Sequence, residues 1–262
     1  MATERPKRIP HLMTVADAWH VTPNMVRVAF CAGFVTDLPE GIEGAHCKIY
    51  LPEPEEDSTD FQDRLASGPR PTMRTYTIRH IRPWIGEIDI DFVDHGDAGP
   101  ASAWARKAKP GDVCGFGGPG PVKLKTFHAD SYLVAADMSA LPVAAATLEA
   151  MPQDAKGIAF LEITSPEDRQ DINAPKGVAI HWLDHPDPHI ASTKVVDLIR
   201  ALPDFKGRVQ TCIAGESSVI QALRGHLMNE RKLDKTDVYI SGYWKIGLVE
   251  DEHQEFKRST AA

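Results

Sequence analysis

Hydrophobic and polar positions change their rhythm about half-way along the chain. Up to about residue 121 they give short β-type runs separated by turn residues, at 25–30, 47–51, 75–80 and Glu87–Val93. The last alternates strictly. Ile88, Ile90 and Phe92 face one way and Glu87, Asp89 and Asp91 the other, as in a half-buried strand of an antiparallel sheet. Residues 52–71 are acidic, then polar, with four prolines, and read as a long surface loop. Beyond residue 130 apolar strand-like runs (132–136, 158–163, 178–182, 209–214, 238–241) alternate with helical stretches (to about 150, 195–202, 217–232). That alternation predicts βαβ units and a parallel sheet. The fold class expected is therefore β followed by α/β: a small antiparallel β-barrel over 1–127, then a Rossmann-like domain over 128–262, with the boundary near 126–130.

Composition narrows the function classes. The chain has 262 residues and a formal net charge of −8. Such a field does not attract nucleic acid, so an anionic substrate would need a local basic patch. The four cysteines, Cys31, Cys47, Cys114 and Cys212, form no CxxC pair, so neither zinc nor a redox-active dithiol is signalled. They read as reduced thiols of a reducing compartment. Residues 1–13 carry Arg5, Lys7 and Arg8 with no apolar stretch after them, unlike a signal peptide. The longest apolar run, 140–146, contains a proline and is too short to span a bilayer. No membrane association and a cytoplasmic location are expected, with a monomer as the default state.

Two segments carry candidate chemistry. In Arg74-Thr75-Tyr76-Thr77 a strand puts Arg74 and Tyr76 on one face and Thr75 and Thr77 on the other. An arginine offers a fixed fork of donors to a phosphate, and a tyrosine offers a flat wall to a ring system. An ordinary exposed strand of mixed polar residues would read the same way. In the segment 94–105 a strand ends, a Gly-rich turn follows, and a helix begins at Gly99-Pro100. The N–H groups of Ala101 and Ser102 would leave the helix start as an anion site, with His95 and Ser102 adding side-chain donors. His181, His185 and His189 lie in a Pro-rich stretch that reads as an exposed loop, and no protein metal ligands are predicted.

Together, Arg74-Thr75-Tyr76-Thr77-Ile78-Arg79, Asp91-Phe92-Val93-Asp94-His95-Gly96 and Gly99-Pro100-Ala101-Ser102-Ala103-Trp104-Ala105 resemble the FAD signature of the siderophore-interacting protein family. That family is similar in fold to the ferredoxin-NADP reductases. Further likeness lies in Asp137-Met138-Ser139-Ala140-Leu141-Pro142, Ala214-Gly215-Glu216-Ser217-Ser218 and Gly242-Tyr243-Trp244-Lys245-Ile246-Gly247. The resemblance implies a six-stranded Greek-key FAD-binding barrel and an oxidoreductase that reduces Fe(III) in a siderophore. It implies that Arg74 holds the FAD phosphate, that Tyr76 packs on the flavin and that Thr77 meets its N5 side. His95, Ala101 and Ser102 would cradle the diphosphate, with Thr75, Asp91, Val93, Gly99 and Trp244 completing the cofactor set. Lys48, Lys245 and Lys257 would draw an anionic catecholate or hydroxamate chelate.

The electron donor implied is NAD(P)H or a ferredoxin. Asp137, Ser139, Gly215 and Glu216 mark the nicotinamide side, although the turn 135–142 has no glycine and Glu216 would repel a phosphate beside it. The same scaffold would also suit a flavin-dependent NAD(P)H or ferredoxin reductase, or a siderophore-binding protein without turnover.

Overall fold

The computed structural model describes residues 9–249 and 252–253. The chain divides into two compact units. One runs up to Val21 and takes in Met25–Pro121; the other comprises Thr22–Asn24 and the chain from Val122 onward.

The first unit is a closed six-stranded antiparallel barrel in the order β1-β2-β5-β4-β3-β6. Its strands are β1 (His11–Thr22), β2 (Met25–Cys31), β3 (His46–Leu51), β4 (Thr72–Arg82), β5 (Glu87–Val93) and β6 (Val113–Gly117). Period-two alternation sends one side of every strand inward. Met13, Phe30, Ile49, Ile78, Ile88, Ile90, Phe92 and Phe116 fill the interior and are almost wholly buried.

Two expectations need correction here. The alternation of β5 is as read, but its outer face is not solvated: Asp89 and Asp91 are both buried. Arg27 on β2 takes Asp91 in a bidentate pair at 2.6 and 2.8 Å. Arg82 on β4 takes Asp89, to which His80 also bonds at 3.0 Å. Burial alone would raise the Asp89 carboxyl, but these partners bring it down to about 2. The second correction is in 52–71, where a helix, α1 (Ser58–Ser67), replaces the expected loop. Asp57 caps it, accepting from the N–H groups of Thr59 and Asp60, and Phe61 is buried beneath it.

The second unit is a five-stranded parallel sheet in the order β11-β10-β7-β8-β9. The strands are β7 (Ser131–Ala136), β8 (Lys156–Ile163), β9 (Gly177–Asp184), β10 (Val209–Glu216) and β11 (Val238–Trp244). Helices α3 (Leu141–Ala150), α4 (Lys194–Ala201) and α5 (Ser217–Gly225) connect them, while α2 (Pro100–Lys107) belongs to the barrel unit. Every residue of β10 is buried, as a strand covered on both faces must be. Leu133, Phe160, Ile199, Ile213, Ile220 and Leu223 form one contiguous core. The helix expected over 217–232 ends as α5 at Gly225 and continues as a π-type turn, His226–Glu230. Arg231 anchors that turn, donating to the His226 ring at 2.9 Å and to the Pro203 carbonyl at 2.8 Å.

Candidate functional site

The β3–β4 ladder decides which predicted residues meet. Ile49 lies opposite Arg74 and Cys47 opposite Tyr76; Lys48 lies opposite Thr75 and His46 opposite Thr77. Partners across a ladder share a face, so Arg74 and Tyr76 lie on the side of buried Cys47 and Ile49. Thr75 and Thr77 share the other side with Lys48 and His46. Lys48 donates from Nζ to the Thr75 hydroxyl. The Arg74 guanidinium donates to the Met73 carbonyl at 2.9 Å.

Aromatic packing joins this segment to the next. The Tyr76 ring lies 4.3 Å from that of Phe92 on β5, and Phe92 lies 6.0 Å from Trp104 on α2. Trp104 also stacks on Phe30 at 6.1 Å, so it belongs to the barrel core. Through these rings β4 and α2 are held at one end of β5. Asp91 spends its carboxylate on Arg27, and Val93 pairs with Met25.

The turn between β5 and α2 is organised by Asp94, to which the sequence assigned no role. Asp94 accepts from the Gly96 N–H at 3.0 Å, and the His95 N–H bonds to the Ser102 hydroxyl at 3.2 Å. An Asp two residues before a glycine is a local signal for such a turn. Burial opposes ionisation of Asp94, but the Gly96 bond and the neighbouring His20 leave its carboxyl below the ordinary range.

No described side chain caps α2, whose first turn begins at Gly99-Pro100. Its leading N–H groups, at Ala101 and Ser102, face away from the helix ladder. Gly99 is a close-approach position: a Cβ there would stand 2.5 Å from the His95 ring. An uncapped helix start, a guanidinium, an imidazole, a buried hydroxyl and a tyrosine ring are the donor set and wall that a flavin dinucleotide requires, so the residues fit FAD.

The residues expected on the nicotinamide side also come together, at the C-terminal edge of the parallel sheet. Asp137 follows β7 and accepts from the N–H groups of Ser139 at 3.0 Å, Ala140 at 3.2 Å and Glu216 at 2.8 Å. Gly215 has φ +150°, and a Cβ on it would stand 2.6 Å from the Asp137 carboxylate. Glu216 caps α5, accepting from the N–H groups of Ser218 at 2.7 Å and Val219 at 3.1 Å. Burial raises the Asp137 carboxyl, partly offset by Ser139 and Trp244. Both strand-to-helix turns thus have their N–H groups taken by the protein's own carboxylates. These are N–H groups of the kind that a dinucleotide-binding turn offers to a diphosphate. Trp244 and Lys245 lie in this unit, at and just after the end of β11; Lys257 is outside the described residues.

No thiol is poised for chemistry among the buried cysteines. Burial pushes Cys47 and Cys114 well up and Cys212 up to about 11, so they are protonated at neutral pH. Among the described residues no group of three His, Cys, Asp or Glu side chains could hold a metal ion, and no helix is long and apolar enough to cross a membrane.

Comparison with known proteins bears on this geometry. Residues 14–123 match the siderophore-interacting FAD-binding domain, and residues 129–247 match the siderophore-interacting protein domain. The ferric vibriobactin reductase ViuB of Vibrio cholerae is 34% identical over 97% of this chain and 96% of its own length. The crystal structure of the siderophore-interacting protein SipS from Aeromonas hydrophila superposes with a TM-score of 0.83 at 34% identity, covering 96% of this chain and 98% of SipS. A ferredoxin-NADP+ reductase from Plasmodium falciparum shares the fold, with a TM-score of 0.62 at 14% identity. The barrel with its uncapped α2, the five-stranded parallel sheet and these likenesses along nearly the whole chain lead to one assignment: the chain belongs to the siderophore-interacting protein family and binds FAD.

Proposed function

We propose that this chain is a ferric-siderophore reductase in which FAD passes electrons to iron held in an anionic chelate. The observation that carries the reading is the rung joining Lys48 to Thr75. It holds the Lys48 ammonium on the strand face shared by Thr75 and Thr77, the latter read as meeting the flavin's N5 side. Bound FAD supplies single electrons, which suits Fe(III) to Fe(II) chemistry.

The protein's own work is placement and charge. Arg74 pairs with a phosphate oxygen, and the first turn of α2, with His95 and Ser102, receives the diphosphate. Thr75, Thr77, Asp91, Val93 and Gly99 shape the cofactor's bed, and Trp244 is counted in the same cofactor set. Lys48, Lys245 and Lys257 draw in the chelate, a catecholate or a hydroxamate, against a chain charge of −8. Hard oxygen ligands hold Fe(II) less tightly than Fe(III), so reduction releases the metal without an acid, base or nucleophile from the protein. Iron is substrate throughout.

The finer points of this reading are a division at 127/128, a monomeric state and release of iron in the cytoplasm. Of NAD(P)H and a ferredoxin, we carry the ferredoxin forward as donor, because Asp137 and Glu216 occupy the turns that a dinucleotide diphosphate would need.

The test is spectroscopic. The purified protein should show flavin absorption bands that bleach with dithionite. After removal of excess reductant under anaerobic conditions, a ferric siderophore should restore them while an iron(II) chelator traps the product. Bands that stay bleached with both chelate classes would refute ferric reduction and leave FAD binding intact.

A further inference from the structure

In a dinucleotide-binding α/β sheet, the turns that follow the strands give their N–H groups to phosphates. Here the turns after β7 and β10 give them to Asp137 and Glu216, and the far oxygens of both carboxylates reach in one direction. Asp137 Oδ2 accepts the indole N–H of Trp244 at 2.7 Å. Glu216 Oε1 accepts the N–H of Ile246 at 3.3 Å. Ser217, next to Glu216, donates to the Trp244 carbonyl at 2.8 Å. Lys245 is the residue between.

The end of β11 is shaped to make these contacts. Gly215 lies opposite Gly242, but Glu216 lies opposite Trp244, so Tyr243 is an extra residue in the ladder. Such a bulge re-aims the chain that follows it. Lys245 then enters a tight turn, with the Leu248 N–H bonded to its carbonyl at 3.1 Å. The chain is thus tied on each side of Lys245: by Trp244 to Asp137 and Ser217, and by Ile246 to Glu216.

We propose that Asp137 and Glu216 are positioning residues that clamp the segment 244–246 and thereby aim Lys245 at the ferric chelate, using the sheet edge that related folds give to a nucleotide. The proposal rests on the reading of Lys245 as a siderophore-binding cation. It assigns the two carboxylates a role in substrate binding and none in electron transfer.

The test separates binding from turnover. The oxidised FAD-loaded protein is titrated with gallium(III) complexes of a tris-catecholate and a tris-hydroxamate, which resist reduction, and steady-state reduction of the ferric complexes is measured beside it. Glu216→Gln keeps an oxygen to cap α5 but turns an N–H group towards Ile246. Loss of one such contact to a charged group should weaken binding about tenfold and raise KM similarly, with kcat falling less than about threefold.

Lys245→Ala should weaken binding by a like factor, and Glu216→Gln should add nothing to it. Asp137→Asn should behave as Glu216→Gln does; if it fails to fold, Ser217→Ala, which removes only the bond to the Trp244 carbonyl, takes its place with a smaller effect. Additive losses in the double variant, or a Glu216→Gln protein that binds as wild type does, would overturn the proposal. So would a Lys245→Ala protein of unchanged affinity. Absence of turnover with binding differences intact would count against the reductase reading alone.

Discussion

Lys48 and Thr75 stand directly opposite each other on adjacent antiparallel strands, and the lysine ammonium donates to the threonine hydroxyl. The bond fixes the end of a long, otherwise freely rotating side chain beside the strand that carries Arg74 and Tyr76. A cation held in place loses less entropy on meeting its anion than a mobile one. Lys48→Ala should therefore raise KM for a ferric siderophore about tenfold, the worth of one charge-assisted contact. Thr75→Val keeps the charge but frees it, and should cost about threefold by the same reasoning. Equal losses in the two variants would show that the anchor matters as much as the charge.

Gly99 and His95 are in contact across the start of α2. Any side chain at Gly99 meets the imidazole 2.5 Å away and must push it aside. Gly99→Ala should weaken FAD binding about tenfold, comparable with losing one charged hydrogen bond, as measured by fluorescence titration of the apoprotein. In a His95→Ala background the ring is absent and Gly99→Ala should then cost little. A large loss in that background would mean that the glycine serves the backbone rather than the imidazole.

Sequence periodicity carried the barrel a long way. Strict alternation over Glu87–Val93 identified β5 and its inward residues Ile88, Ile90 and Phe92. Alternation over Arg74-Thr75-Tyr76-Thr77 sorted the faces correctly within that strand. It could not supply register between strands, and only register sets Lys48 against Thr75. Nor could it foresee that the outer face of β5 is closed. Asp91 finds its partner in Arg27, 64 residues away, and a polar residue paired at such range looks exposed in a local reading.

At the sheet edge, the acidic residue in the turn after β10, Glu216, was legible. Its reach to Ile246, 30 residues on, was not. Helix α1 was hidden for a different reason. Its flanking prolines and acidic composition signal a loop, and only one side chain, Phe61, is buried to betray it.

The stability of α1 rests visibly on its cap. Asp57 satisfies two N–H groups of the first turn, at 2.8 and 2.9 Å. Arg64, one helical turn before the end, reaches back to Glu56 at 2.7 Å. Asp57→Ala should cost about 1 kcal/mol in denaturant unfolding, the usual effect of removing an N-cap, while Asp57→Ser should recover most of it. An Asp57→Ala protein as stable as wild type would mean that α1 is held by Phe61 and Arg64 alone.

Acid sensitivity should trace to Asp89. Its carboxyl sits at about 2 in the folded protein, where burial works against ionisation and the Arg82 and His80 bonds overcome it. Because folding lowers this pKa, the stabilisation is complete above the unfolded value near 3.8 and is lost as pH falls through about 2. A shift of that size corresponds to roughly 2 kcal/mol at neutral pH. Arg82→Met removes the main partner and leaves the carboxylate buried, so the variant should lose at least that much at pH 7, on the order of 2–3 kcal/mol. Below the unfolded pKa the carboxyl is protonated in the variant even when folded, and the gap to wild type should narrow as pH falls from 4 towards 2. Urea midpoints for both proteins across that range would show it. A gap that stays constant with pH would assign the loss to packing of the Arg82 stem instead of to its charge.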